Sequence, residues 1–367
     1  MRHLMLAAAG ALAVSPVFAA NDTPTTEELY EIIKAQQEQI DNLVGKRDDV
    51  SEGSTSIGGY GELHYNDYEG GAEMDFHRFV LFFNHEFTDD IRFFSELELE
   101  HSLAGDGKPG EIELEQAYVE FDVTDRTRLK GGLFLMPIGF LNETHEPNTF
   151  YGVERNPIEK NLIPTTWWEG GFGAAGNFGE SGFSWDLNMH SGLAVGADYS
   201  IRSGRQKVAE AVADELAYSG RLKYTGIAGL EVAASFFHQG NITQNLVPNS
   251  GAGTLLEAHV RWNTGPLTLT ALYADWTLDG DAPAVLNKDK QTGGYGEASW
   301  RFNESFGVFA RHNIWDNGGF GDTEQTQTNI GFNYWPHKNV AVKFDLQQRD
   351  ENNEASEGFN IGIGYQF

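Results

Sequence analysis

From Ser56 to the last residue the chain keeps a two-residue rhythm, and no other feature limits its folding more. Ile91, Phe93, Leu97 and Leu99 stand against Arg92, Glu96, Glu98 and Glu100; Leu256, Ala258, Val260 and Trp262 stand against Glu257, His259, Arg261 and Asn263. Val340, Val342, Phe344 and Leu346 alternate likewise with Ala341, Lys343, Asp345 and Gln347. Successive side chains of a strand point to opposite faces, so each segment has one apolar and one polar side. Sixteen such segments are predicted, at 56–68, 74–87, 91–103, 111–123, 127–136, 167–178, 183–192, 214–225, 229–240, 254–264, 266–278, 293–302, 306–315, 324–335, 339–350 and 357–367. Each unit of strand plus connection averages about 19.5 residues, enough for the roughly 9–11 residues that cross a bilayer as a tilted strand.

The connections alternate too. Thr88-Asp89-Asp90, Thr124-Asp125-Arg126, Gly265 and Pro336-His337-Lys338 are among the short ones, while the others are mostly longer, the largest at 137–166 and the next at 193–213. Short turns on one side and longer loops on the other describe an up-and-down transmembrane barrel. Backbone groups in hydrocarbon have no water to bond, so such a sheet spans only if its last strand pairs with its first. At sixteen strands the interior is too wide for side chains alone to fill, which implies an aqueous channel. The eight tryptophans all fall near predicted strand ends, where amphipathic indoles would form two interfacial belts. Ile361, Ile363, Tyr365 and Phe367 alternate to a terminal phenylalanine, like the assembly signal of bacterial outer-membrane barrels. The fold class expected is therefore all-β, a 16-stranded antiparallel transmembrane β-barrel preceded by a short N-terminal coiled-coil helix.

That helix and an export segment come from the first 55 residues. Arg2 and His3 precede the apolar run Leu4–Val14, and Val17-Phe18-Ala19 supplies a cleavage site, so residues 1–19 read as a secretory signal. Residues 20–55 read as a periplasmic helix and linker. Thr25-Thr26 before Glu27-Glu28 make a capped, acidic start, and Leu29, Ile33, Gln36, Ile40 and Leu43 follow heptad spacing. So few heptads cannot hold a coiled coil alone; they assist only chains already brought together, and a loosely ordered amphipathic tail fits equally.

Composition removes other classes. The formal charge of −29 repels nucleic acid, and the absence of cysteine excludes disulfides, thiolate metal sites and thiol nucleophiles. Gly179-Glu180-Ser181-Gly182-Phe183 lacks the second glycine of a nucleophile elbow, and His85-Glu86 and His145-Glu146 lack the second histidine of a zinc helix. No phosphate loop is present, so no catalytic residue, metal ligand or cofactor is expected.

The stretches Gly58–Tyr65, Phe93–His101 and Glu113–Phe121, with the segment from Gly132 through Trp168, resemble the phosphate-selective porin O and P-like family of Gram-negative porins. The resemblance covers about residues 56–367. It implies a trimeric sixteen-stranded outer-membrane channel for small hydrophilic solutes or ions, with the third long loop folded into the lumen. A phosphate-selective member is expected to carry a dense arginine and lysine ladder, whereas this chain is acidic overall.

The loop at about 137–166 is thus the expected constriction. It contains Glu143, His145, Glu146, Glu154, Arg155, Glu159 and Lys160, and Pro147, Pro157 and Pro164 stiffen it. On the polar phase of the strands, Glu62, Glu96, Glu98, Glu100 and Glu120 form an expected acidic arc. Arg221, Lys223, Arg261, Arg301, Arg311 and Lys343 form a basic one, with many of these charges expected to pair along the wall. Expected partners are outer-membrane lipid and lipopolysaccharide, two further copies of the chain, and the permeating solutes. A barrel hydrolase and an envelope tether are the alternative classes.

Overall fold

A computed structural model describes residues 53–351 and 354–367; the export segment and nearly all of the predicted helix and linker lie outside the described residues. Sixteen strands follow one another: β1 Ser54–Tyr68, β2 Gly71–Thr88, β3 Ile91–Glu100, β4 Ile112–Thr124, β5 Thr127–Leu135, β6 Trp168–Asn177, β7 Phe183–His190 and β8 Ala217–Tyr224. Then come β9 Leu230–Gln239, β10 Gly253–Thr264, β11 Leu267–Leu278, β12 Lys290–Asn303, β13 Phe306–Asp316, β14 Glu324–His337, β15 Val340–Glu351 and β16 Glu354–Gln366. Each pairs antiparallel with its sequence neighbours, and β1 also pairs with β16, so the sheet closes into a barrel. The closing seam ends in two reciprocal backbone bonds, Gly59 N to Phe367 O at 3.0 Å and Phe367 N to Gly59 O at 2.9 Å. The terminal phenylalanine is thus part of the ladder that removes the last sheet edge.

The alternation separates outside from inside. Phe172, Leu256, Ile330 and Leu346 are exposed on the outer face, while their inward neighbours Glu257, Asn329 and Asp345 are buried. Holding one such large apolar side chain in water rather than in an apolar medium costs about 1.5–3 kcal/mol, so an outer wall made of dozens of them fits lipid. A β-bulge shifts the pairing between Glu96↔Gln116 and Leu97↔Leu114. It leaves Glu115 without a pairing partner, and this residue is buried inside although it does not follow the alternation of Tyr118 and Glu120.

The interior is only partly polar. Phe134, Phe237, Leu255, Leu272, Trp276 and Trp315 project from β5, β9–β11 and β13 into one apolar core, packed with Met136, Ile138, Phe140, Ile158, Leu162 and Trp167 of the loop after β5. Leu193, Val195, Tyr199 and Ile201 of the loop after β7 join the same core. This corrects the expected tryptophan belts. Trp167, Trp276 and Trp315 are in this core, and Trp335 is also buried. Trp168 lies beneath the second long loop, its Nε1 donating to the Lys207 carbonyl at 3.2 Å. Trp185, Trp262 and Trp300 sit in the outward phase, each close to a short turn, so the indoles mark one interface rather than two. The two-residue hairpin at 69–70 is also tight, where a longer loop suited the alternation.

Candidate pore constriction

The loop between β5 and β6 is held in shape from within. Asn142 joins its two ends: Nδ2 donates to the carbonyls of Met136 (2.7 Å) and Trp167 (2.8 Å), and Oδ1 accepts from Trp167 N at 2.7 Å. The fully buried Glu159, on the helical turn Ile158–Leu162, accepts from the backbone N–H of Phe140 (2.5 Å) and Leu141 (2.7 Å), from Asn156 Nδ2 (3.0 Å) and from the Tyr295 hydroxyl (2.9 Å). Gly139 makes that approach possible: it has a φ of +75°, and a Cβ there would lie 2.6 Å from Glu159 Oε1. Glu159, expected from sequence only as one of the charged residues of this loop, is therefore a brace inside it.

The loop is tied to the wall on several sides. His145 Nε2 lies 3.2 Å from Glu96 and 3.4 Å from Glu115, and Glu154 lies 2.9 Å from His64 Nδ1. Arg221 pairs with both Glu143 and Asp186. Val153 N donates to Asp345 at 2.9 Å, Asn333 Nδ2 to the Phe150 carbonyl at 3.1 Å and Arg311 to the Tyr151 carbonyl at 3.2 Å. Trp276 Nε1 donates to the Leu162 carbonyl at 2.8 Å. Burial disfavours the charged form of His145, yet the Glu96 and Glu115 carboxylates more than offset it and raise the imidazole to about 10. Burial opposes the charge of Glu154 as well, but His64 holds its carboxyl well below the usual range. Glu143 is held low by Arg221 against the same burial cost.

The remaining sequence-predicted residues divide by role. Glu146 accepts from Thr149 through its carbonyl, a contact within the loop. Lys223 is half-buried in the inward phase of β8. Arg261 stacks on Phe140, 4.1 Å from the ring centre, and Arg301 stacks on Trp335 at 4.3 Å near the short-turn end. Arg311 pairs with Glu297 at 3.2 Å. Lys343 is buried, its Nζ 3.6 Å from the Phe150 ring centre and without a hydrogen-bond partner. The acidic residues are not a bare arc. Arg78 lies 2.9 Å from Glu62 and 3.5 Å from Glu98, and Arg92 pairs with Glu120 at 3.0 Å. Arg78 and Arg92 occupy the inward phase of β2 and β3, so their alternation with outward apolar residues was the signal available for them. Glu115 continues the inward phase of Glu113, alternating with the exposed Ile112 and Leu114, until the bulge shifts the phase to Gln116, Tyr118 and Glu120.

Three cavities outline the lumen. One of about 780 Å³ opens at the short-turn end between Arg92, Glu120, Arg126, Arg128 and Ser184. One of about 200 Å³ separates the loop from Arg261, Thr270, Glu297 and Arg311. A third, of about 220 Å³, lies between the loop and β1–β3 and is lined by Glu62, His64, Arg78, Glu154, Arg155, Lys160 and Arg202 among others. Arg202 comes from the loop after β7, which sequence reasoning did not place inside the barrel. Its guanidinium donates to the carbonyls of Lys160 (2.9 Å) and Thr165 (2.5 Å), and Arg155 donates to the Thr166 hydroxyl at 2.9 Å. Among the described residues, Arg155, Lys160 and Arg202 have no carboxylate partner in an ion pair, unlike Arg78. Burial, and the neighbouring guanidiniums of Arg205 and Arg155, push Arg202 down to about 9.

Comparison with known proteins follows the same lines. The barrel superposes on an anion-selective porin from Comamonas acidovorans with a TM-score of 0.60 at 14% identity, covering 86% of this chain and 100% of that one. It superposes on Salmonella typhi OmpF in complex with daunomycin with a TM-score of 0.61 at 12% identity, covering 85% and 97%. For the outer membrane channel DcaP of Acinetobacter baumannii the TM-score is 0.58 at 11% identity, covering 86% and 97%. At such identities the likeness shows the fold. A sequence relative, an uncharacterized protein of Aquifex aeolicus (strain VF5), is 35% identical over 232 residues; the match covers 61% of this chain and about half (50%) of the relative's length. The sequence profile of Gram-negative porins matches residues 6–355, nearly the whole chain, and the protein belongs to that family.

Proposed function

We propose that this chain forms a water-filled outer-membrane channel for passive diffusion of small hydrophilic solutes, and that it prefers anions at its narrowest point. The observation that carries the preference is that, among the described residues, Arg155, Lys160 and Arg202 line the 220 Å³ cavity without a carboxylate ion-pair partner. Of the cavity's carboxylates, Glu62 and Glu154 are paired, and Glu100 meets no arginine or lysine among the described residues. Fixed charges of one sign at a constriction set ion preference, whereas charges paired along a wall contribute little to it. The loop 136–167 is the constriction in this reading, and its internal brace makes it a fixed eyelet. Phosphate is one anion the site would accept, because guanidinium and ammonium groups both bind it.

The functional unit is read as a homotrimer. The Vibrio cholerae outer membrane protein OmpT, solved in a trimer form, has the same fold with a TM-score of 0.57 at 10% identity. Export through residues 1–19, assistance to assembly by residues 27–45 and contact with lipopolysaccharide complete the proposal. A channel is favoured over a catalyst by the family, and the buried grouping of Ser191, His190 and Glu169 does not form a relay: Ser191 bonds Glu169 at 2.5 Å, but neither ring nitrogen of His190 has a hydrogen-bond partner.

Planar-bilayer recording tests the reading. Stepwise openings, with a reversal potential on the anion side in a potassium chloride gradient, are expected. Silence, or a reversal potential on the cation side, contradicts it.

A further inference from the structure

Beside the eyelet, β2 and the end of β3 bring together a set of donors that the channel reading does not use. Asp75 Oδ2 lies 3.2 Å from His77 Nδ1 and 2.7 Å from His101 Nδ1. The three ligand atoms all fall within 4.8 Å of one another. We propose that Asp75, His77 and His101 form a binding site for a divalent transition-metal cation of the zinc type, reached from the lumen.

The donor set carries the chemistry. Two imidazoles and one carboxylate suit zinc and its neighbours far better than calcium or magnesium, which prefer oxygen alone. Three protein ligands leave a fourth position for water or a passing solute. Zinc holds nitrogen and oxygen at about 2.0–2.2 Å, so the edges of a tetrahedral site are about 3.3 Å, close to the separations seen here. The site is preorganised by backbone: His101 N donates to the His77 carbonyl at 3.1 Å, and His101 itself adopts a φ of +53°. A non-glycine residue in that region is uncommon and turns the imidazole back toward Asp75. Access exists as well. The side chains of Asp75, His77 and His101 are 19%, 23% and 31% exposed, and both histidines line the 220 Å³ cavity.

The surroundings both help and compete. Glu100, Glu111 and Glu113 form a carboxylate group close by, with Lys207 against Glu111 at 2.6 Å and against Glu113. Arg78 is the main competitor, since its Nη2 donates to His77 Nε2 at 2.8 Å. That bond places the His77 proton on Nδ1, toward Asp75. Capture of the ion by Nδ1 moves the proton to Nε2 and turns Arg78 away, while Arg78 keeps Glu62. Metal binding would thus rearrange a cation at the eyelet, and the site would report the presence of metal as a change in current.

The test uses the full exported chain, purified in detergent and stripped with a chelator. Cobalt chloride titration followed by visible absorbance, with zinc chloride as competitor, should give one ion per chain. His77→Ala and His101→Ala should each weaken binding at least tenfold, with His312→Ala, on the outer face, unchanged. Where an alanine variant fails to give the heat-modifiable barrel, His101→Gln keeps the bulk and removes the ligand. No saturable binding, or equal weakening by His312→Ala, overturns the site. Because absorbance reads binding without current, a protein that binds cobalt but passes no ions contradicts the channel reading and not this one.

Discussion

On the long-loop half of β11 the inward phase is Leu272, Ala274, Trp276 and Leu278; on the long-loop half of β1–β3 it is His64, Arg78, Glu98 and Glu100. The same two-residue period thus builds a dry sector and a charged one inside a single barrel. In the dry sector two loops replace water and bury large side chains, which fixes the loops. In the charged sector each buried charge meets a partner or a cavity, since an isolated one would cost several kcal/mol. The lesson is that alternation separates lipid from interior but does not say that the interior is wet. One sector grips the loop after β5 and the other leaves space beside it.

Breaking the grip should have the largest effect. Trp276→Ala removes a fully buried indole and its bond to Leu162, for about 3–5 kcal/mol. A lowered urea midpoint for unfolding of the barrel checks this, together with larger and noisier current steps. Glu159→Ala leaves the backbone N–H groups of Phe140 and Leu141 without their acceptor, at about 1–3 kcal/mol each. Limited proteolysis within 136–167, absent in the parent, is the readout. The two variants should act alike, because both free the same loop.

The His145 contact sharpens the comparison from the charged side. Its folded value, about 10, lies above the ordinary 6.5, so its contribution is complete below about pH 6.5 and is lost as pH rises through about 10. Current noise should therefore grow between pH 8 and 10.5, and His145→Leu should be noisy at every pH. The smallest effect belongs to the outer wall: Trp262→Phe keeps most of the apolar surface and should change the unfolding midpoint by less than about 1 kcal/mol.

Much of this was legible in sequence. The sixteen strands were, because β10 and β15 alternate without a break and short turns punctuate the chain. The dry sector left a trace that alternation alone overlooks: in β11 both phases turn apolar after Thr270, as Ala271 and Tyr273 face out while Leu272 and Ala274 face in. The bulge beside Glu115 left a mark in the side-chain pattern, since the apolar phase jumps from Ile112 and Leu114 to Ala117, Val119 and Phe121 across the adjacent polar pair Glu115-Gln116. Glu159 was legible as part of the loop but not as its internal brace, because burial and hydrogen bonding, not residue type, decide whether a carboxylate faces water. Arg202 was legible only indirectly, through the apolar Leu193, Val195, Tyr199 and Ile201 that mark its loop as one that packs inward rather than standing in water.

A chain without cysteine allows the division of the lumen to be probed directly. Single cysteines at Glu100, in the charged sector, and Ala274, in the dry one, would be exposed to a charged thiosulfonate while current is recorded. The account predicts rapid modification and a reduced step for Glu100→Cys and no change for Ala274→Cys. Equal modification of both, or of Ala274→Cys alone, would contradict it.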